Sequence, residues 1–124
     1  MTIALNAMLR NARADQITAF AGAGAILRIY TASYASALVD CVCSATLAPA
    51  ASGGVLTLNA LAAGVATGAG TAAIARLYKS DATTVVIGGL TVATASANIN
   101  ITNTTIAVND SVTVTTATIT EGNA

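Results

Sequence analysis

A period of two runs through Thr71–Gly89, TAAIARLYKSDATTVVIGG, and it limits what this chain can fold into more than any other stretch. Ala73, Ala75 and Leu77 alternate with Ile74, Arg76 and Tyr78. After Ser80-Asp81 the β-branched run Thr83-Thr84-Val85-Val86-Ile87 resumes the same alternation. The pattern predicts a β-hairpin closed by Gly88-Gly89. Two strands alone are marginal in water, so further strands must cover one of their faces.

The rest of the chain supplies them. Ala25–Thr31 alternates Leu27 and Ile29 against Arg28 and Tyr30, the mark of a half-buried strand. Ala32–Ala37 is small and polar, and reads as a loop. Val39–Leu47 sets Val39, Cys41, Cys43, Ala45 and Leu47 on one face, with Asp40, Ser44 and Thr46 opposite. Ala48–Gly54 breaks the chain with Pro49 and Ser52-Gly53-Gly54, and Val55–Ala60 resumes as a strand. Leu90–Ala95 is a short strand, Asn98–Thr102 points Ile99 and Ile101 inward, and Thr105–Val108 does the same with Ile106 and Val108. Asn109-Asp110 turns into the Thr/Val-rich strand Ser111–Thr120. Glu121–Ala124 is a polar tail.

Ahead of these runs, Leu5–Ala21 has helical spacing. Leu5, Met8, Leu9, Ala12, Ile17 and Phe20 fall on one broad side, and Asn11, Ala14, Asp15 and Thr18 on the other. Thr2 or Asn6 could cap its start, and Gly22 or Gly24 supplies the positive φ that ends a helix. The alternative is an N-terminal arm that orders only on a partner. The stripe places Leu5, Leu9 and Phe20 in the core, as an internal lid. With about eight to ten short strands and one leading helix, the expected fold is mainly β: a two-sheet antiparallel sandwich, jelly-roll-like, with no repeating unit.

Length and charge set the wider frame. A chain of 124 residues is expected to form one domain over residues 1–124, with the helix at about 5–21 and the sandwich at about 25–120. Only 8% of residues are charged against 55% hydrophobic, with a formal net charge of zero, so charge does little to keep copies apart and life in an assembly is expected. Five Lys and Arg scattered along the chain do not form a phosphate-binding patch; Arg10 and Arg13 are the one close basic pair, best read as the solvated edge of a helix. A charge-free run from Cys41 to Ala75 includes Gly64 and Gly68 at the G-x-x-x-G spacing of membrane helices. Its Ala, Gly, Thr and Ser content, with Pro49, Gly53-Gly54 and Asn59, argues instead for strands and turns, with Gly64, Gly68 and Gly70 marking turns or close strand approach. MTIALNAMLR does not read as a signal peptide, so the N-x-S/T patterns at Asn100, Asn103 and Asn109 carry no weight.

Catalytic groupings are not expected. Asp15, Asp40, Asp81, Asp110 and Glu121 are spread singly, and with no histidine there is no ordinary base for a Ser or Cys nucleophile; Lys79 stands without a partner motif. Cys41 and Cys43, about 7 Å apart on one strand face, suit two buried free thiols and not a bridge, and the chain lacks the ligands of a zinc site. Catalytic, cofactor-binding and metal residues are therefore all expected to be none.

RNARADQITAFAGAGAILRIYTA (Arg10–Ala32), ASGGVLTLNA (Ala51–Ala60), GTAAIARLYKSD (Gly70–Asp81) and VNDSVTVTTATIT (Val108–Thr120) occur in this order along nearly the whole chain. They resemble small structural proteins of tailed bacteriophages, namely head decoration or cement proteins, from which this chain departs by carrying Ala73 and Ala75 where bulkier aromatic residues are common. The resemblance implies a jelly-roll-like structural protein, a homo-oligomer (dimer or trimer), bound to the major capsid protein on the outside of the virion shell. It also implies synthesis in a bacterial cytoplasm, no enzymatic activity, no cofactor, and neither nucleic acid nor membrane as partner. A tail or head-to-tail component and a small soluble β-sandwich binding module are the alternatives. With so few charges, docking is expected to rely on apolar area and strand edges, and to change little with salt.

Overall fold

The computed structural model describes residues 7–44, 46–53 and 55–120. Helix α1 (Ala7–Ala21) comes first. The strands that follow are β1 (Ile26–Tyr30), β2 (Ala37–Val42), β3 (Val55–Thr57), β4 (Gly64–Val65), β5 (Gly70–Thr71), β6 (Ile74–Tyr78), β7 (Val85–Ala93), β8 (Ile99–Ile101), β9 (Thr105–Ile106), β10 (Ser111–Val112) and β11 (Val114–Thr120). A 3-10 turn at Ala32–Tyr34 joins β1 to β2.

Mainly β with one N-terminal helix is what the alternation implies, and it is what forms. The main sheet is mixed and curled, however, and not clearly one layer of a two-sheet antiparallel sandwich. Seven strands make one curled, mixed half-barrel sheet in the order β2-β1-β6-β7-β8-β11-β3, beside two short ladders, β10-β4 and β5-β9. Neighbours run antiparallel except β7 and β8, whose parallel contact is limited to Val92 with Ile99 and Ala93 with Asn100. Parallel neighbours ordinarily need a long crossover. Here residues 94–98 suffice, because Thr91 and Asn98 tie the two ends together: the Asn98 Oδ1 accepts from the Thr91 N–H at 3.1 Å, and the Asn98 N–H donates to the Thr91 Oγ1 at 3.0 Å.

The hairpin is the centre of the sheet, but its second strand is longer than expected. Gly88-Gly89 does not close it; both lie within β7, and the Leu90–Ala95 run continues that strand as far as Ala93. The register explains why glycine is there. Ala75 faces Leu90 and Leu77 faces Ile87, so two residues of β7 oppose Arg76 alone, a bulge that Gly89 accommodates at φ 74°. The turn is built by Asp81, whose Oδ1 accepts the N–H groups of Thr83 and Thr84, both at 2.9 Å, while its Oδ2 takes the Thr84 hydroxyl at 2.6 Å. Elsewhere β3 is shorter than its expected run, Thr113 separates β10 from β11, and Val108 is 54% exposed in the turn after β9 and does not point inward.

Residues paired across neighbouring strands share a face, so the registers sort the sheet into an inner and an outer side. Leu27 pairs with Cys41 and Leu77, and Ile29 with Val39 and Ala75; all six are at most 2% exposed. Ile99, Ile101, Leu56, Ala117 and Ile119 continue the core on β8, β3 and β11. The small ladders close over this inner side beside β2, where the Cys41 Sγ lies 4.0 Å from the Val112 carbonyl oxygen. That approach needs glycine. A Cβ on Gly64 would run into the Asp40 carbonyl oxygen and Val39 Cγ2, and one on Gly68 would come within 2.6 Å of the Ala37 carbonyl oxygen. The expectation that these glycines mark close strand approach holds.

Helix α1 also lies against the core, but not on the expected side. Leu9 is 49% and Phe20 52% exposed, and Ala12 is exposed, whereas Ala14 and Ala21 are buried and Ile17 is half-buried. The helix is thus turned from the large-residue stripe toward alanines that let it approach closely. Its rotation is fixed by Asp15, whose Oδ1 accepts the Ala51 N–H at 2.7 Å. Gly22, at φ 68°, ends it by donating to the Thr18 carbonyl oxygen at 3.2 Å. Leu5, the caps at Thr2 and Asn6, the Met8 side chain, Ala45, Gly54 and the tail from Glu121 lie outside the described residues or side chains.

Two predictions follow from these packing details. Gly64→Ala should destabilise the protein by about 1–3 kcal/mol, because the clash is with backbone, and Gly22→Ala, with nothing within 4 Å of the added carbon, should cost only the strain of its positive φ; thermal melts of the two variants check the order. The Asp81 carboxyl is held at about 2, below its ordinary value of 3.8, chiefly by the Thr84 hydroxyl and then by the N–H groups of Thr84 and Thr83. A depressed folded-state pKa contributes stability above the unfolded value that is lost as pH falls through the folded one. The stability advantage over Asp81→Asn should accordingly be full at pH 5 and shrink between pH 4 and pH 2, as followed by denaturant titration at each pH.

Candidate functional site

The outer side of the sheet divides into two unlike halves. On β8, β11 and β3 it carries Asn100, Thr116, Thr118 and Thr57, small polar groups suited to water, with the Asn100 amide donating to the Thr116 hydroxyl at 2.7 Å. On β2, β1, β6 and β7 the registers lay out something else. Val42, Ile26, Tyr78 and Val85 form one row across the strands; Asp40, Arg28 and Arg76 form the next; Tyr30, Ile74 and Thr91 form the third. Val42 is 49% and Val85 44% exposed.

At the middle, Arg28 and Arg76 stand directly opposite each other. Like charges in that position repel. Four contacts offset the repulsion. The Arg28 guanidinium grips Asp40 with two hydrogen bonds, Nε to Oδ1 at 2.7 Å and Nη2 to Oδ2 at 3.1 Å. It also lies 5.0 Å from the centre of the Tyr78 ring. Arg76 lies 3.7 Å over the centre of the Tyr34 ring and 5.7 Å from that of Tyr30. The hydroxyls of Tyr30 and Tyr78 hydrogen-bond each other at 2.6 Å. All three tyrosines of the chain are therefore in this one cluster.

The backbone is strained to complete it. Ser33 and Tyr34 hold φ at 59° and 58°, a left-handed conformation that bulky residues avoid. In return, the Tyr34 ring meets that of Tyr30 edge-on at 5.2 Å, and its hydroxyl accepts the Gly89 N–H at 2.7 Å. The cluster packs beside Gly88, where an added Cβ would lie in ordinary contact, 3.5 Å from the Tyr34 hydroxyl and 3.6 Å from Arg76 Cγ.

Electrostatics follow the contacts. The hydrogen bonds to Asp40 raise the Arg28 pKa, and those to Tyr78 and then Tyr34 raise that of Arg76. Burial, then the bond to Tyr78, pushes the Tyr30 phenol up. Burial alone would also push Tyr78 up, but the hydrogen bonds from Tyr30 and Arg76 hold it below the usual value. Among the described residues no carboxylate reaches ion-pair distance of Arg76, so the cluster of two arginines and Asp40 carries one excess positive charge.

The residues weighed singly in the sequence occupy structural places. Asp15 and Asp81 are engaged as described, and Asp110 Oδ2 accepts the Ala107 N–H at 2.8 Å in its turn. Beside it, Thr102, Asn103 and Ser111 help to line a depression of about 160 Å³, small for an organic ligand. Lys79 places its Nζ 4.3 Å over the Phe20 ring, and Arg13 is exposed on α1. Asn100, Asn103 and Asn109 serve turns and strand contacts: Asn103 Oδ1 accepts from the Thr105 N–H at 3.0 Å, and Asn109 turns the chain at φ 73°.

Read strand by strand, Arg28, Tyr30, Arg76 and Tyr78 are only the outward halves of two separate strands. A signal was available. β1 is Ile-Leu-Arg-Ile-Tyr and β6 is Ile-Ala-Arg-Leu-Tyr, and their antiparallel pairing sets Ile26 on Tyr78, Arg28 on Arg76 and Tyr30 on Ile74, a local two-fold relation.

Cys41 and Cys43 are free and buried on the inner side, as the strand reading requires. Burial raises both thiols, Cys43 to about 12 with help from the neighbouring Cys41. In the native protein at pH 8 both should label with a thiol reagent far more slowly than in the unfolded chain. Cys41→Ala or Cys43→Ala should cost about 1–2 kcal/mol through lost packing. Rapid native labelling would contradict that burial.

No family model, no curated protein and no solved structure matches the chain.

Proposed function

We propose that this chain is a structural virion protein of a tailed phage, a capsid decoration or cement protein that binds the outside of the major capsid shell and stabilises it. The observation that carries the reading is the surface. Leu9, Phe20, Val42, Val65, Val85 and Val108 are between 44% and 62% exposed on a chain with 8% charged residues, a composition suited to a subunit that is covered in an assembly. The order of the decoration-protein-like phrases along the chain supports the same assignment. On this reading the curled sheet is one layer of a jelly-roll-like sandwich, and the β10-β4 and β5-β9 ladders are a reduced second layer. The partner is the major capsid protein, and no cofactor takes part.

A small β binding module is the second reading, favoured by the concentration of tyrosine and arginine on one face, since these residues dominate binding energy at protein interfaces. Co-sedimentation with purified shells separates the two. The decoration reading expects retention that changes little from low to moderate salt, and greater resistance of the shell to heat. Protein that stays in the supernatant at every salt concentration would overturn it, and retention on tails but not heads would move the assignment to a tail component.

A further inference from the structure

We propose that the outer face of β6 and β7, beside Arg76, docks an extended segment of a partner protein whose acidic side chain becomes the counter-charge of that arginine. This goes beyond the shell-binding reading and does not rest on it.

A charge and a bare floor at one place carry the inference. Asp40 is engaged by two hydrogen bonds from Arg28, whereas Arg76, directly opposite Arg28, meets no carboxylate among the described residues. On the far side of Arg76 the bulge in β7 sets Gly88 and Gly89, both exposed. An added Cβ on Gly88 would lie 3.6 Å from Arg76 Cγ, and one on Gly89 would meet nothing within 4 Å. The guanidinium thus borders open backbone, not a neighbouring side chain.

The arginine is also held in position. It lies 3.7 Å over the Tyr34 ring, and Tyr34 is seated by the Gly89 N–H and by left-handed backbone at Ser33 and at Tyr34 itself. Strained backbone, two facing like charges and an arginine without a carboxylate are each unfavourable in the free protein. Their concentration at one place on the surface is the mark of a functional site. An arriving carboxylate relieves the last two.

Charge and spacing define the occupant. The cluster carries one excess positive charge, too little for the phosphates of a nucleic acid or for an anionic membrane surface. It matches one carboxylate, which a guanidinium fork grips with two parallel bonds. The rows on either side of the charged one offer apolar groups, Ile26 and Val85 on one and Ile74 with the Thr91 methyl on the other. Alternate residues of a strand share a face about 7 Å apart. An extended segment lying along β6 and β7 therefore sets one side chain on each row, and the pattern that fits is apolar-x-acidic-x-apolar. That pattern reads the same in both directions, so either orientation of the segment satisfies it.

The probe is the peptide acetyl-Ser-Val-Ser-Asp-Ser-Val-Ser-amide, titrated into the isotopically labelled full chain and followed by NMR. Saturable shifts should centre on the Arg76 Nε–H and the amides of Gly88 and Gly89, with a dissociation constant of about 0.1–1 mM for so small a contact. Asn in place of the peptide's Asp should weaken binding about tenfold or more, and so should Arg76→Gln in the protein. Arg13→Gln, on α1, should leave it unchanged. The spectrum itself reports whether each variant folds. Should Arg76→Gln not fold, Val85→Glu, which brings a carboxylate of the chain's own to this face, should weaken the peptide in the same way. Inorganic phosphate should bind far more weakly than the peptide; equal binding would make this a general anion site and overturn the partner segment. Absence of saturable shifts, equal binding of the Asn peptide, or shifts centred away from β6 and β7 would each overturn the proposal, even if the protein binds shells.

Discussion

The register between β1 and β6 decides both sides of this molecule. By pairing Leu27 with Leu77 and Ile29 with Ala75 it puts the most deeply buried side chains together, each large one contributing roughly 1.5–3 kcal/mol. A shift of one residue would turn those groups to the outside. The same register forces Arg28 to face Arg76. The core thus fixes an arrangement that is electrostatically unfavourable, and Asp40, the three tyrosine rings and the strained Ser33-Tyr34 turn are its local compensation.

Close packing by small residues is the second constraint. With few large apolar side chains, the structure brings backbones together where Gly64 and Gly68 meet β2, and a helix against the sheet on Ala14 and Ala21. Such contacts gain dispersion energy from many short approaches. They also leave large residues over. Leu9 and Phe20 are outside because alanines occupy the face that fits, and Phe20 is covered in part by Lys79.

These two constraints explain what could be read from the chain. Alternation is local, so Leu27 and Ile29 against Arg28 and Tyr30, the inward Ile99 and Ile101, the paired buried thiols and the Asp81 turn were all legible. Strand order is not local. β1 lies between β2 and β6, and the short parallel contact of β7 with β8 depends on Thr91 and Asn98 meeting, so periodicity shows strands but not that seven of them join in one curled, mixed sheet. The helix misled for a related reason. Hydrophobic size along a helix marks its buried side only if the surface below has room for large residues, and here the hydrogen bond from Ala51 to Asp15 turns the helix the other way. The tyrosine-arginine cluster stayed hidden because each strand, read alone, shows only an ordinary polar face.

Scarcity of charge makes that cluster matter. On a surface rich in charges, two arginines and one aspartate would be one group among many, screened and individually weak. Here the neighbouring outer surface is Thr, Asn and Val, and the rings of Tyr78 and Tyr30 lie 5.0 and 5.7 Å from the guanidinium groups of Arg28 and Arg76. Apolar neighbours such as Val42 and Val85 supply area without direction, whereas Asp40, Arg28 and Arg76 supply direction with little area. On a surface of mostly small uncharged residues, these three charges stand in one row because the pairing of β1 with β2 and β6 holds them there.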